Sequence, residues 1–502
     1  MISAGKSQRR LKVISLFSGC GGLDLGFTMS GRFSLKFAND INESAAKVYS
    51  ENFNAKIISR IPDRSSQRPL FLKEDIQNID FGQIKSILPD IDVVIGGPPC
   101  QDFSLARGTD RANAGIYTQR GKLYAYFVKA LMYLRPKYFV FENVPGIKSD
   151  NKGMTWDIIR EDFSNLSMHA GDIEKIAGDG FSGNGTSYFL AYHGIADASA
   201  VGTPQKRKRV IIIGIRKDLI ENSPAGSVQY LTDEIRKICR SKIEGEGLCF
   251  SKYPLTSIEA FEGKTLDTLD DRYRSIMEEW LFDEKNRDVP ELNEWAEKNS
   301  NALDEGVLMN YCKANSSQFL PVELEKAMDD HRKVLESLGF IGVRVLIGSD
   351  QMDKACSIPT ENPRVVSRLY FTPPDKNYKF LYNHKCWKVE GKNISMIYRR
   401  LHPLKPAYTV TANGGGGTHG YHYEKSRGRL TNRERARLQS FPDWFKFSGT
   451  YTQQREIIGN AVPPLLGKAV AMALSETDHL LNGKSSRERM EHPMPGTSFS
   501  RR

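Results

Sequence analysis

The sequence predicts an α/β fold: an open parallel sheet covered by crossover helices, with a second, smaller domain of mixed α/β character. Two observations predict the sheet. Residues 11–216 alternate short β-branched runs with helical patterns, as a parallel sheet with crossover helices requires. Glycine- and proline-rich turns follow directly on two of those runs, at the strand ends where open sheets place reactive groups. A change of character after about Leu219 marks the second domain.

Candidate strands are Val13–Phe17, Leu35–Asn39, Val93–Gly96, Tyr138–Glu142 and Val210–Ile215. Between the third and fourth, Leu123, Phe127, Leu131 and Leu134 recur at helical spacing, and Pro136 stops that helix before the next strand. In the later region Tyr273, Ile276, Met277, Trp280 and Leu281 outline one amphipathic helix. Leu324, Ala327, Met328, Leu335 and Leu338 outline another, closed by Gly339. Phe340–Ile347 and Val365–Phe371 read as strands. Four glycines at 414–417 sit within a loop, Thr409–Tyr423. Helix returns at Thr431–Ser440 and at Asn460–Leu474, the latter with Pro463-Pro464 in its first turn, and the Ser/Arg-rich tail 483–502 reads as disordered.

The chain's 502 residues exceed one simple core and suit two domains. Its basic start has no apolar stretch for a signal peptide or membrane anchor, so a cytoplasmic protein is expected. A net charge of +11 points toward a polyanionic partner, although a basic surface alone has the same signature. Seven scattered cysteines form no C-x-x-C pair, so neither a zinc site nor a disulfide framework is indicated. His419 and His422 lack further ligands, and no metal is expected.

Four segments carry chemistry. Phe17-Ser18-Gly19-Cys20-Gly21-Gly22-Leu23 follows the first strand; its glycines permit a sharp turn and close approach to a ligand. The spacing is not that of the dinucleotide fingerprint, which disfavours a nicotinamide oxidoreductase. Asp40 ends the second strand, where an acid grips ribose hydroxyls, and Asp75-Ile76 could contact adenine. A tight turn with solvated carboxylates is the alternative. Gly96-Gly97-Pro98-Pro99-Cys100-Gln101 follows the third strand. A lone cysteine is usually inert filler, but here two prolines fix the backbone before it at a strand's carboxyl end.

Phe141-Glu142-Asn143-Val144-Pro145 ends the fourth strand, and a carboxyl emerging from an apolar strand suits an acid or hydrogen-bond donor; taken singly, an ion-paired or capping glutamate is the commoner reading. Gln205-Lys206-Arg207-Lys208-Arg209 leads into the fifth strand. Alternation puts Arg207 and Arg209 on one face, although a basic run is more often simply solvated.

Together the four resemble the cytosine-5 DNA methyltransferase family across Leu11–Arg216 and Tyr398–Leu474. The likeness continues through Arg429-Leu430-Thr431, Arg437-Leu438-Gln439-Ser440-Phe441-Pro442 and Gly459-Asn460-Ala461-Val462. It implies a Rossmann-like, S-adenosyl-L-methionine-dependent methyltransferase sheet formed by 11–216 plus 455–480. A target-recognition domain is implied at 217–440, with a helical insertion at 257–339.

The resemblance implies that Cys100 is the nucleophile and that Glu142 hydrogen-bonds the target ring. Arg209, with Arg207, would hold the ring's O2. For S-adenosyl-L-methionine it implies Phe17, Ser18, Gly19, Gly21, Gly22 and Leu23 around the methionine part, Asp40 on the ribose, and Ile41, Asp75 and Ile76 around adenine. Pro98, Leu123, Asn460 and Val462 complete the pocket. Many members have Glu-Trp where this chain has Asp40-Ile41, so an aromatic cover on adenine is lost.

The implied partner is double-stranded DNA, with no membrane. A compact bacterial monomer, paired with a cognate restriction endonuclease, is the expected setting, because about ten residues precede the first strand. Two alternatives stay open: a tRNA cytosine-5 methyltransferase, which the long variable interval disfavours, and a catalytically silent DNA-binding homologue.

Overall fold

The structure is a computed structural model and describes residues 9–99, 122–166, 171, 173–174, 186–345, 354–381, 384, 395–412 and 420–483. Cys100, Cys386, the glycine run 414–417, His419 and nearly all of the tail lie outside the described residues.

Eight strands form one sheet: β1 (Leu11–Leu16), β2 (Phe33–Asn39), β3 (Lys56–Ile58), β4 (Leu70–Leu72), β5 (Val93–Gly96), β6 (Tyr138–Asn143), β7 (Tyr188–Asp197) and β8 (Lys208–Arg216). Their order is β3-β4-β2-β1-β5-β6-β8-β7. The five strands expected from the sequence are β1, β2, β5, β6 and β8. Their β-branched runs are buried almost completely; Val13, Val93, Val94, Val140 and Ile211 have no exposed surface. Such runs suit strands covered on both faces.

The sheet is parallel from β3 to β6, but β8 runs antiparallel to β6. This corrects the all-parallel expectation. β7 and β8 are neighbours joined only by residues 198–207, shorter than the crossover of about a dozen residues that parallel neighbours need. Helix Lys122–Leu134 covers β5 and β6, and its Tyr124 and Phe127 meet Phe141 at 5.9 and 5.5 Å between ring centroids.

The chain divides into two compact units, Met1–Ala196 with Lys208–Glu246 and Leu466–Arg502, and Asp197–Arg207 with Gly247–Leu465. Helix Val228–Glu244 therefore belongs to the sheet-bearing unit, because its buried stripe Leu231, Ile235, Cys239 and Ile243 needs cover. Lys242 pairs with Glu476 at 2.7 Å on the same unit.

The second unit is helical. Among its described residues the only β contacts outside named strands are isolated bridges, Gln205–Ala407, Arg400–Tyr421 and Tyr421–Arg429. The eight-stranded sheet is thus the only named sheet among the described residues. Val365–Phe371 is not a strand: helix Pro363–Tyr370 occupies it, begun by Pro363 and capped by the Asn362 side chain, which accepts from Arg364 N at 2.9 Å. Phe340–Val345 forms turn and irregular backbone instead of a strand.

Segment 257–339 is built into this unit's core. Trp280 is fully buried and its Nε1 donates to the Tyr423 carbonyl at 2.9 Å. Buried His331 and Glu259 meet at 2.9 Å. Helix Asn432–Leu438 opens with a reciprocal cap between Thr431 and Glu434, close to its expected start. Asn460 ends helix Tyr451–Asn460 rather than opening the next one, which starts at Pro464. Successive prolines push the residues before them out of helical geometry, which accounts for the break. By length and composition Tyr451–Leu481 could cross a membrane, but it is mostly buried inside the protein.

Candidate active site

In the first unit the glycine turn, Asp40, Gly97-Pro98 and Glu142 lie at the carboxyl ends of strands, and Arg209 at the amino end of β8. After β1 the chain enters the left-handed region at Phe17 (φ 53°), and Ser18 N donates to the Asn39 carbonyl at 3.0 Å. Gly21 (φ 86°) precedes helix Gly22–Met29. A Cβ there would lie 2.4 Å from the Phe53 ring, so no other residue fits. Asp40 closes the turn: its Oδ2 accepts from Gly19 N at 2.8 Å and its Oδ1 from Asn42 N at 2.9 Å. Burial pushes the Asp40 carboxyl above the usual carboxylate range, against the pull of these donors.

A Cβ on Gly19 would meet nothing within 4 Å, so the turn faces open space beside the Asp40 carboxylate. Ile41 is 66% exposed at the same strand end. The next element is Asp75, which caps the short helix Ile76–Asn78 through Gln77 N. Asn39 ties this region to the turn by donating to the Leu72 and Glu74 carbonyls at 3.0 and 2.8 Å. Open space beside a helix N-terminus, bounded by one acid and an exposed aliphatic side chain, fits an aminoacyl-ribose-adenine ligand. Ile76 and Leu23 are buried, while Phe17 and Leu123 are partly buried against the sheet's core.

The second cluster joins β5, β6 and β8. Glu142 stands opposite Ile211 in the antiparallel ladder. Its Oε1 meets Arg209 Nε at 2.9 Å, with both side chains only 12% exposed. Gly97 lies under this carboxylate, and a Cβ there would be 2.5 Å from Glu142 Oε2. Asn143 Nδ2 donates to the Pro98 carbonyl at 3.0 Å, while its Oδ1 accepts from Val144 N at 2.8 Å. Pro98 is buried two residues before Cys100. The sequence reasoning gave Gly97 and Asn143 no role. Their signal was adjacency: each neighbours a residue already singled out.

Arg207 does not join Glu142, contrary to the shared face expected for the two arginines. It precedes β8 and lies in the second unit, 1% exposed, donating to the Val410 and Gly459 carbonyls at 2.8 and 2.7 Å. Gln205 sits in the same network: Nε2 donates to Gln439 Oε1 at 3.0 Å, and Oε1 accepts from Val410 N at 2.7 Å. Gln439 in turn donates to the Ile458 carbonyl at 2.7 Å. Asn460 and Val462 also belong to the second unit, Asn460 exposed and Val462 buried. Among the described residues no three His, Cys, Asp or Glu gather as metal ligands.

The family model for C-5 cytosine-specific DNA methylases matches residues 11–476. A DNA (cytosine-5-)-methyltransferase of Aeropyrum pernix, M.ApeKI, is 44% identical, covering 93% of this chain and 98% of its own. The type II methyltransferase M.NgoFVII of Neisseria gonorrhoeae is 30% identical, covering 91% and 84%. A solved structure from E. coli, a prophage-encoded protein assigned as a DNA modification methyltransferase, is similar in fold. Its TM-score is 0.50 at 22% identity, covering 93% of this chain and 99% of that one.

Proposed function

The chain belongs to the C-5 cytosine-specific DNA methylase family, and we propose that it modifies one cytosine within a specific duplex sequence by flipping that base out and attacking it with Cys100. It is a DNA (cytosine-5-)-methyltransferase of the type II restriction–modification kind, and S-adenosyl-L-methionine is its methyl donor. The observation that most supports the finer reading is the Glu142–Arg209 pair over Gly97, which immediately precedes the proline pair before Cys100.

Carbon 5 of cytosine is a poor nucleophile. The Cys100 thiolate adds to carbon 6, and the displaced electron pair makes carbon 5 nucleophilic. Glu142 hydrogen-bonds ring N3 and the exocyclic amine, stabilising charge that moves onto the ring. Arg209 turns part of its guanidinium to O2 and orients the base. S-adenosyl-L-methionine would supply the methyl group from its sulfonium to carbon 5, leaving as a neutral thioether, with Phe17, Ser18, Gly19, Gly21, Gly22, Leu23, Asp40, Ile41 and Asp75-Ile76 as the residues that would hold it. A base then takes the proton from carbon 5, the carbon–sulfur bond breaks, and the thiolate returns to Cys100. The target must leave the stack because its ring atoms are unreachable inside the duplex.

In this reading the helical second unit supplies sequence recognition, the enzyme acts as a cytoplasmic monomer, and its methylation shields host DNA from a cognate endonuclease. Bisulfite sequencing of plasmid from cells expressing the protein tests it: protected cytosines should share one sequence context. Protection without any common context would overturn site-specific recognition, and no protection would overturn the activity.

A further inference from the structure

Two buried residues beneath the glycine turn have no part in the chemistry described so far. Asp24 lies in the first turn of helix Gly22–Met29, and Tyr49 in helix Glu43–Phe53, which starts three residues after Asp40. The Tyr49 hydroxyl donates to Asp24 Oδ1 at 2.7 Å, with Tyr49 at 0% and Asp24 at 1% exposure. The Tyr49 ring lies 4.3 Å from Phe53 and 5.0 Å from Phe71 of β4, centroid to centroid. Both Tyr49 and Phe53 press against Gly21, where a Cβ would stand 2.9 and 2.4 Å from them.

The glycine turn and helix Glu43–Phe53 are thus joined twice. Asp40 makes one clip, accepting from Gly19 N on one side and Asn42 N on the other. The Tyr49–Asp24 hydrogen bond makes another, between the first turn of helix Gly22–Met29 and a point about two turns into helix Glu43–Phe53. Burial pushes the Asp24 carboxyl up to about 6, eased by the Tyr49 and Ser15 hydroxyls. Near pH 7 the group is therefore mostly charged and a strong acceptor. An apolar pair would fill this core position with less penalty, so a buried acid here calls for a reason beyond packing.

We propose that Asp24 and Tyr49 are positioning residues that fix the glycine turn against Asp40, and so set the affinity for S-adenosyl-L-methionine without touching it. The inference rests on reading that turn as the cofactor site. Loss of the hydroxyl leaves the ring packing intact but frees the turn to shift relative to Asp40. Binding then weakens, while the chemistry at Glu142 is unchanged once the cofactor is bound.

Calorimetric titration of the full-length enzyme with S-adenosyl-L-methionine, without DNA, is the test. Tyr49→Phe should raise Kd about tenfold, the usual worth of one buried hydrogen bond to a charged group. Asp24→Asn, which keeps an acceptor for the hydroxyl, should stay closer to wild type. In turnover, KM for the cofactor should rise with Kd while kcat falls far less. The double variant Tyr49→Phe/Asp24→Leu, apolar on both sides, guards against instability of the single change and should show the same weakening. Unchanged Kd in Tyr49→Phe or the double variant overturns the proposal, as does a fall in kcat as large as the rise in KM. Asp40→Ala separates the two levels. If it too leaves Kd unchanged, the turn is not the cofactor site; if it weakens binding and the others do not, only the clip fails.

Discussion

Asn143 and Pro98 are joined by one hydrogen bond, 3.0 Å from side-chain amide to carbonyl, which ties the loop before Cys100 to the strand carrying Glu142. Both partners are buried. The bond holds Pro98, two residues before Cys100 in the sequence, against the residue that follows Glu142. Asn143→Ala should therefore leave cofactor and DNA affinity close to wild type but slow single-turnover methylation by ~10–10²-fold, the cost of misplacing a reacting group by about 1 Å. An unchanged rate would mean that the loop holds its position without this bond.

Glu142→Gln keeps the shape of the side chain but removes the acid and the ion pair with Arg209. Turnover should fall by ~10²–10⁴-fold with binding retained. Gly97→Ala approaches the same site by a different route, since its Cβ would lie 2.5 Å from Glu142 Oε2 and force the carboxylate to move. It should lose activity without loss of cofactor affinity. Near-normal single-turnover rates in Glu142→Gln would make that residue structural.

The two arginines of Gln205–Arg209 should separate by phenotype. Arg207 spends its guanidinium on the Val410 and Gly459 carbonyls. Arg207→Met should lower unfolding free energy by ~2–4 kcal/mol in urea, because two buried charge-assisted bonds are lost. Arg209→Lys keeps a charge beside Glu142 but loses the planar fork, and should cut turnover by ~10²-fold with a small change in stability. Equal loss of stability in both would show that the pair acts as one structural unit.

These cases also show what the sequence could reveal. Strands β1, β2, β5, β6 and β8 were readable because continuous buried runs have a local signature, and the turns at their ends carry the motifs. β3 and β4 have three residues each, too few for any period. Arg207 was misplaced because its partners lie 203 and 252 residues along the chain, a distance over which alternation says nothing. Val365-Val366 suggested a strand, but the Asn362 cap and Pro363 decide for helix. Segment 257–339 carries no family motif, and its sequence holds no sign of how it packs. Its burial of Glu259, Trp280 and His331 comes from long-range packing invisible in local pattern.

That packing makes stability depend on pH. His331 Nδ1 meets Glu259 Oε1 at 2.9 Å and its Nε2 meets the Tyr253 carbonyl at 2.9 Å, both side chains of the pair fully buried. Burial alone would lower the imidazole pKa, but Glu259, Cys249 and the Tyr253 carbonyl outweigh it and push the value up to about 10. A raised folded pKa means that the imidazolium contributes stability fully below its ordinary value near 6.5. That contribution declines as pH rises and is lost through about 10. The Tm gap between wild type and His331→Gln should accordingly be widest near neutrality or below and narrow toward pH 10. A gap that stays constant from neutrality to pH 10 would show that His331 is neutral in the folded protein.

The nucleophile is the sharpest test of the mechanism. Cys20 and Cys239 are buried thiols whose pKa is pushed up to about 12 by burial, so neither forms a thiolate readily. Cys100 follows two prolines at the end of the strand β5 loop, the place where a sheet of this kind presents a reactive group. If its sulfur adds to carbon 6 and carbon 5 receives the methyl group, release requires loss of the hydrogen at carbon 5. Fluorine at that position cannot leave as a cation, so the adduct has no exit. Duplex DNA carrying 5-fluorocytosine at the methylated position should give a denaturant-resistant protein–DNA band that requires S-adenosyl-L-methionine. Cys100→Ser should abolish the band and the methylation together, because an alcohol is far less acidic than a thiol. Replacement of Cys20, Cys239, Cys249, Cys312, Cys356 or Cys386 should leave the band in place. An adduct that maps to another residue, or methylation that survives Cys100→Ser, would rule out this nucleophile.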